Sequence, residues 1–493
     1  MDNLALCEAN NAPLTPITFL KRASEFYPNR TSIIYGETRF TWPQTYDRCC
    51  RLAASLLSLN IAKNDIVSVL APNIPAIYEM HFAVPMAGAV LKPINTRLDA
   101  KSIAAIFRHA QPKILFVDRN LETLARATLH LLPDEEQRNL LVIFIDEPDR
   151  PKRISSNDQL DYEELIRRGE PSSSSVAGMF RIQNEHDPIS LNYTSGTTSE
   201  PKGVVVSHRG VYLNALSVIM GWEIGTFPVY LWTLPMFHCN GWNLTWSVAA
   251  RGGTSVCIRH VSAPEIYKNI ELHGVTHMCC VPTVLNILLQ GNPLDMSQRS
   301  TPVQVLTGGS SPPAALVEKV QRLGFQVLHV YGLTEATGAV LFCEWHDEWS
   351  SIEVENVLYK YKKVLEAAVV AMPHPMWGET PCAFVVLEKR KTGQGDCDDQ
   401  FMTREGDLIK YCRENLPHFM CPKRVVFMGE LPKNGNGKIL KHKLRNIAKI
   451  LLALSTKYHL SWKILTANPC FSLDRLFHSE TEEHFDHQNL QTK

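Results

Sequence analysis

Hydroxyls, glycines and one lysine crowd the stretch YTSGTTSEPKGVVV, Tyr193–Val206. Small residues expose backbone N–H groups and hydroxyls add further donors, a combination suited to gripping phosphate. Thr194, Ser195, Thr197 and Thr198 can donate to phosphate oxygens, Gly196 lets the backbone approach closely, and Lys202 adds charge or positions the loop. The common nucleotide loop requires Ser or Thr after its lysine, whereas Lys202 is followed by Gly203. The question is which phosphate is held, and in which reaction.

Two more features follow apolar runs that read as strands. Gly308, Gly309 and Ser310 come after VQVL, with Ser311 and Pro312 suited to the N-cap and first turn of a helix. YGLTEATG, Tyr331–Gly338, comes after QVLHV. Tyr331, with Gly332 beside it, offers a flat face for a base. Glu335 is a hard oxygen ligand suited to Mg²⁺, and Thr334 could touch an α-phosphate. Ligands in parallel α/β sheets sit beyond the carboxyl ends of strands, so one crevice could take all three features.

PMFHCNGWNLTW, Pro235–Trp246, is dense in aromatics around His238. His238 beside Cys239 suggests nucleophile or metal chemistry, but no third ligand is spaced for zinc, so an aromatic wall gated by His238 is the better reading. LPKNGNGKILKHKLR, Leu431–Arg445, places Lys438 after a Gly/Asn loop and before a basic helix, where it could be offered to a remote anion. Taken singly, these are a Ser/Thr-rich turn, a packed aromatic, a solvated charge and a plain turn. Their joint order along the chain is what argues for a site.

The elements that must position them alternate. DIVSVLAPN, KILFVD, LLVIFID, PISLNYT, TSVCI, PVQVLTGG and FQVLHVYG read as buried strands, and TYDRCCRLAASLLSLN and PPAALVEKVQRLG as amphipathic helices. The fold class expected is α/β: a large N-terminal domain of layered, largely parallel sheets and helices, with a small C-terminal α+β domain. Val354, Val357, Leu358 and Tyr361 share one helical face, then VLEAAVVAM, CAFVVLE and KRVVFM read as strands around the helix REGDLIKYCREN. The expected domains are 1–345 and 350–450, followed by a divergent, disordered tail over 451–493.

Across 493 residues, 50 Lys plus Arg balance 50 Asp plus Glu, so no global field favours nucleic acid or an anionic membrane. The thirteen scattered cysteines have no C-x-x-C pairs, which argues for a reduced, intracellular protein. The N-terminus lacks the pattern of a secretory signal, and no transmembrane segment is expected.

Together these residues resemble the adenylate-forming, or AMP-binding, superfamily of acyl-CoA synthetases, luciferases and peptide-synthetase adenylation domains. YTSGTTSEPKGVVVSH, MFHCNGW, TGGSSPPAAL, VYGLTEATG and LPKNGNGKILK stand in that family's order, and the resemblance spans nearly all of 1–450. It is nearest the plant-type acyl-activating enzymes, several of them peroxisomal. The resemblance implies a two-step reaction. A carboxylic (fatty or aromatic) acid attacks ATP·Mg²⁺ to give acyl-AMP and pyrophosphate, then coenzyme A displaces AMP. It also implies that the Thr194–Gly203 loop holds the β- and γ-phosphates, that Gly308–Ser310 and Tyr331 frame adenine, and that Thr334 and Glu335 serve the α-phosphate and metal. His238 would border the acyl pocket. Lys438 would bridge carboxylate and α-phosphate, then withdraw as the small domain rotates.

One departure matters more than the matches. YGLTEATGAVLFCEWHDEW runs directly into SSIEVENVLY, where the family carries a large block. That block includes a ribose-binding Asp, a nearby Arg and a Gly-rich hinge. Loss of a bidentate ribose carboxylate corresponds to roughly 2–4 kcal/mol, and missing strands would bare sheet edges. The chain ends Gln491–Thr492–Lys493 rather than in an S-K-L-type signal, so a cytoplasmic location is expected although relatives are often peroxisomal. The leading reading is a carboxylate–CoA ligase, impaired by the internal deletion. The alternative is a catalytically inactive nucleotide- or acyl-binding isoform that associates with full-length relatives. An unrelated phosphotransferase is disfavoured, because no DFG- or Walker-type metal residue accompanies the loop.

Overall fold

A computed structural model describes residues 11–147, 160–171, 182, 184–194, 201–291, 301–310, 312–344, 354–374, 378–388, 403–416, 421–435 and 437–458. Two compact units emerge: residues up to 349 together with 435–438, and 350–434 together with 439 onward. The large unit is built on an eight-stranded and a six-stranded sheet, the small unit on a three-stranded sheet.

The eight-stranded sheet runs, in spatial order, Gly338–Glu344, Phe325–Leu333, Val303–Thr307, His277–Cys280, Val229–Trp232, Thr254–Cys257, Thr31–Tyr35 and Thr38–Thr41. Its interior pairs are parallel and its two outermost pairs antiparallel. The six-stranded sheet runs Leu141–Ile145, Ile114–Asp118, Ile66–Leu70, Val90–Pro93, Pro188–Thr194 and Lys202–Ser207, parallel except for the last pair. Parallel strands covered on both faces read as unbroken apolar runs, and all five residues of Ile114–Asp118 are buried.

Local chemistry sets the helix ends. Trp42–Ser58 starts with a reciprocal capping box between Thr41 and Gln44. Ala263–His273 begins at the Ser262 cap and stops at left-handed Gly274. The Pro75–Met86 helix is buried along its whole length, including Glu79. A carboxylate at that depth needs partners. Arg48 Nε donates to Glu79 Oε1 at 2.5 Å and Tyr162 Oη to Oε2 at 2.6 Å, while Arg48 also reaches Glu163 at 2.7 Å. Three helices are joined through one buried charge.

In the small unit, Val364–His374 and Gly378–Leu387 pair antiparallel and Arg424–Phe427 joins in parallel. The closing helix spans Lys441–Tyr458, with Leu444, Ile447, Ala448 and Leu451 buried against that sheet. The expected domain end at 450 therefore falls inside a helix, because Leu451 completes its apolar face. The expected tail beyond 458 lies outside the described residues.

The hairpin at one edge of the eight-stranded sheet is strongly apolar on the outside: Tyr331, Leu333, Val340 and Leu341 are all exposed. No described helix is long and apolar enough to cross a membrane.

Candidate active site

Four asparagines, Asn73, Asn214, Asn240 and Asn243, assemble the site. Asn73 donates to the carbonyls of Trp232 (3.0 Å) and Leu234 (2.9 Å) and accepts from the Met236 amide (2.8 Å), fixing the segment that delivers His238. The chain then passes through a left-handed turn, with φ positive at Cys239, Asn240, Gly241, Trp242 and Asn243. Asn and Gly tolerate that conformation best. Inside the turn, Asn240 Oδ1 accepts from Ser190 Oγ and Asn192 Nδ2, each at 2.7 Å, tying it to the strand that ends at Thr194. Asn243 Nδ2 donates to the Thr337 carbonyl, and Asn214 Nδ2 to the Ala339 carbonyl at 2.9 Å, which holds the Thr334–Gly338 connection in place.

Two cavities open on this frame. One of about 150 Å³ is lined by His238, Trp242, Gly309, Val330, Gly332 and Thr334. Another of about 430 Å³ is lined by Lys92, Tyr193, Thr194, His238, Thr334 and Glu335. His238 and Thr334 border both. Burial, aided by the nearby Arg97 charge, pushes His238 down to about 4, so it is neutral at physiological pH. Burial likewise pushes the Cys239 thiol up to about 12, despite a hydrogen bond with Thr334. That thiol is no nucleophile. Among the described residues no group of three or more His, Cys, Asp or Glu could hold a metal ion.

Other expected site residues fall differently. Thr194 pairs with Lys202 and Tyr193 with Gly203 in antiparallel register, so Thr194, Lys202 and Gly203 belong to strands rather than to a loop. Lys202 is exposed and lines neither cavity. Ser195, Gly196, Thr197 and Thr198 lie outside the described residues. Tyr331 and Gly332 are also strand residues, because the Gly338–Glu344 strand folds back and extends pairing to Leu333. Tyr331 is 58% exposed and lines neither cavity. Gly308 is packed: its amide donates to the Cys280 carbonyl at 3.1 Å, and a Cβ there would meet Val330 and Trp242. Ser310 is half-buried and lines neither cavity. Lys438 directly follows Gly437, whose φ of +80° turns the chain ahead of the closing helix.

Gly332 permits a close approach of two backbones. A Cβ there would stand 2.0 Å from the Gly338 carbonyl oxygen across the hairpin. Gly332→Ala is therefore expected to displace Thr334 and Glu335 and to lower acid-dependent ATP–pyrophosphate exchange at least tenfold, with a lower Tm. Gly406→Ala, in open space on a helix, should leave exchange unchanged and stabilise by about 0.4–1 kcal/mol. Equal exchange in the two variants would sink this account of the hairpin.

Asn73, Asn240, Asn243 and Lys92 were not singled out from sequence. Only CNGWN carried a usable signal, since consecutive Asn and Gly mark positive φ.

The family profile for AMP-binding enzymes matches residues 20–358, and that for the AMP-binding enzyme C-terminal domain matches 353–438. The chain belongs to the AMP-binding enzyme family. Relatives of this AMP-binding enzyme include a peroxisomal benzoate–CoA ligase of Arabidopsis thaliana, 63% identical over 92% of this chain and 96% of that one. A peroxisomal trans-cinnamate:CoA ligase of Petunia hybrida is 47% identical over 91% and 96%. The solved anthranilate CoA ligase in complex with anthranoyl-AMP aligns with a TM-score of 0.73 at 19% identity, over 91% of this chain and all of that one, and so shares the fold. The benzoate–CoA ligase alignment spans 558 positions, more than 92% of 493 residues can fill, so roughly a hundred positions carry residues only in the relative. The interior of this AMP-binding enzyme is therefore shorter than that relative's.

Proposed function

We propose that this chain is an ATP-dependent acid–thiol ligase converting a carboxylic acid, through acyl-AMP, into acyl-CoA. The observation that carries the reading is the convergence of Thr194, His238, Thr334 and Glu335 on one cavity at strand ends, in a chain of this family. In this reading ATP, Mg²⁺ and coenzyme A are the small-molecule partners.

Mg²⁺ fits the donors present. Glu335 is an exposed carboxylate with no ion pair among the described residues, and Mg²⁺ commonly takes one or two carboxylates and completes its shell with phosphate and water. When bound there, the ion would neutralise phosphate charge. Thr194 and Thr334 would donate to phosphate oxygens, and neutral His238 would border the acid without adding a competing charge. Lys438 would supply positive charge as the carboxylate adds to the α-phosphate. The strand-bound Tyr331 and the packed Gly308, together with Gly309, would form the adenine side.

The smaller cavity, walled by Trp242 and Val330, favours a short or single-ring acid over a long chain. The acids named for two of the relatives, benzoate and trans-cinnamate, point the same way. The alternative of an inactive nucleotide- or acyl-binding form draws no support from them. As for compartment, peroxisomal relatives stand against the cytoplasmic location expected from sequence, and microscopy of an N-terminal fluorescent fusion separates the two.

The test is acid-dependent ATP–pyrophosphate exchange on the whole chain, with acids from acetate to octanoate plus benzoate and cinnamate. Exchange above the acid-free rate is expected with the smaller or aromatic acids, at high ATP because the ribose carboxylate is missing. No exchange from folded protein with any acid would overturn the reading.

A further inference from the structure

Lys92 stands in the Val90–Pro93 strand, flanked by Ile66–Leu70 on one side and Pro188–Thr194 on the other. It is only 1% exposed and ranks among the largest wholly buried side chains. Among the described residues its ammonium has no ion pair and no hydrogen-bond partner. What it has are two aromatic rings, with Nζ 5.0 Å from the Phe107 centroid and 5.3 Å from that of Tyr193. Cation–π contact recovers part of the cost of burying an ammonium, not all of it. Burial alone pushes this amine down to about 7. A lysine kept in the middle of a sheet under these terms lacks a structural reason on its own strand.

The cavity it lines supplies one. Lys92 borders the same 430 Å³ space as Thr194, His238, Thr334 and Glu335. His238 is neutral there and Lys202 lies elsewhere, so Lys92 is the one lysine or arginine among the described residues lining that space. Hydroxyl donors, one carboxylate able to hold a cation and one desolvated amine form a set that binds an oxyanion together with its counter-ion.

We propose that Lys92 is a further binding residue of this site, its amine taking an anionic oxygen of the reacting complex, either of pyrophosphate or of the acid's carboxylate. This rests on the ligase reading above. In either case the buried amine gains an anionic partner that the described residues do not give it, and the ligand gains a charge in a place where water competes poorly.

The experiment is isothermal titration of the whole chain with inorganic pyrophosphate plus Mg²⁺ and, separately, with benzoate, in wild type, Lys92→Met and Lys92→Gln. At least a tenfold loss of affinity is expected in both variants for one of the two probes, with Tm equal to or above that of wild type. Loss confined to pyrophosphate assigns the phosphate source, and loss confined to benzoate the carboxylate source. Affinities within twofold of wild type for both probes would overturn the proposal. Should Lys92→Met melt early, the probe-induced rise in Tm decides: a rise retained in Lys92→Gln overturns the proposal, and its loss supports it. Wild type that binds pyrophosphate through Lys92 yet shows no acid-dependent exchange defeats the ligase reading and leaves this anion site standing. Exchange that survives undiminished in both variants does the reverse.

Discussion

Lys438→Ala is expected to lower acid-dependent ATP–pyrophosphate exchange by about 10²–10³-fold, the range typical of removing one preorganised group from a developing oxyanion. The residue stands immediately after the positive-φ Gly437, on a turn ahead of the closing helix. In the proposed reaction its ammonium is needed while two anions, the acid and the α-phosphate, approach each other. It is not needed once acyl-AMP exists. Thiolysis of supplied acyl-AMP by coenzyme A should therefore change less than threefold in the same variant. Measuring both half-reactions separates a charge effect from a folding defect. Equal losses would mean the variant is misfolded, and an undiminished exchange rate would remove Lys438 from the mechanism.

Acid should unfold this protein early. His81, His208, His238 and His277 are each pushed down from 6.5 to about 4, in every case chiefly by burial. They are held as neutral bases: His81 Nδ1 lies 2.7 Å from the Ile77 carbonyl, and His208 Nδ1 2.8 Å from Thr15 Oγ1. Their folded values lie below the unfolded ones, so the unfolded chain binds protons first as pH falls. Stability is unaffected above about pH 6.5 and is lost progressively from there down through about 4. A shift of one unit corresponds to about 1.4 kcal/mol, and four such groups together rival the whole stability of an ordinary domain, about 5–15 kcal/mol. Circular dichroism melts from pH 7.5 to 4.5 should show Tm falling steeply below 6.5. A flat profile over that interval would mean these imidazoles are protonated in the folded state.

The strands were legible wherever burial on both faces left an unbroken apolar run, as in KILFVD and PISLNYT. The helix beginning at Trp42 was legible because its polar and apolar residues alternate at helical spacing. Pro75–Met86 was not, since a helix apolar all round has no face to detect. FQVLHVYG read as a strand through Tyr331 and Gly332, yet nothing in it showed that the returning Gly338–Glu344 strand would pair with it as far as Leu333. That partner is set by tertiary pairing, which local propensity does not encode. Lys92 shows the same limit from the other side. In LKPIN it resembles any strand lysine with its head in water, and only the neighbouring strands and rings reveal that it has nowhere to go.

The burial of five tryptophans among the described residues has a use in the laboratory. Trp42, Trp222, Trp232, Trp242 and Trp246 are each at most 7% exposed, and of these Trp242 lines the smaller cavity. Their indoles should emit toward the blue, and a conjugated acid such as cinnamate seated beside Trp242 should drain part of that light. The protein thus carries its own optical gauge of whether an acid has entered, readable before any turnover and without a label.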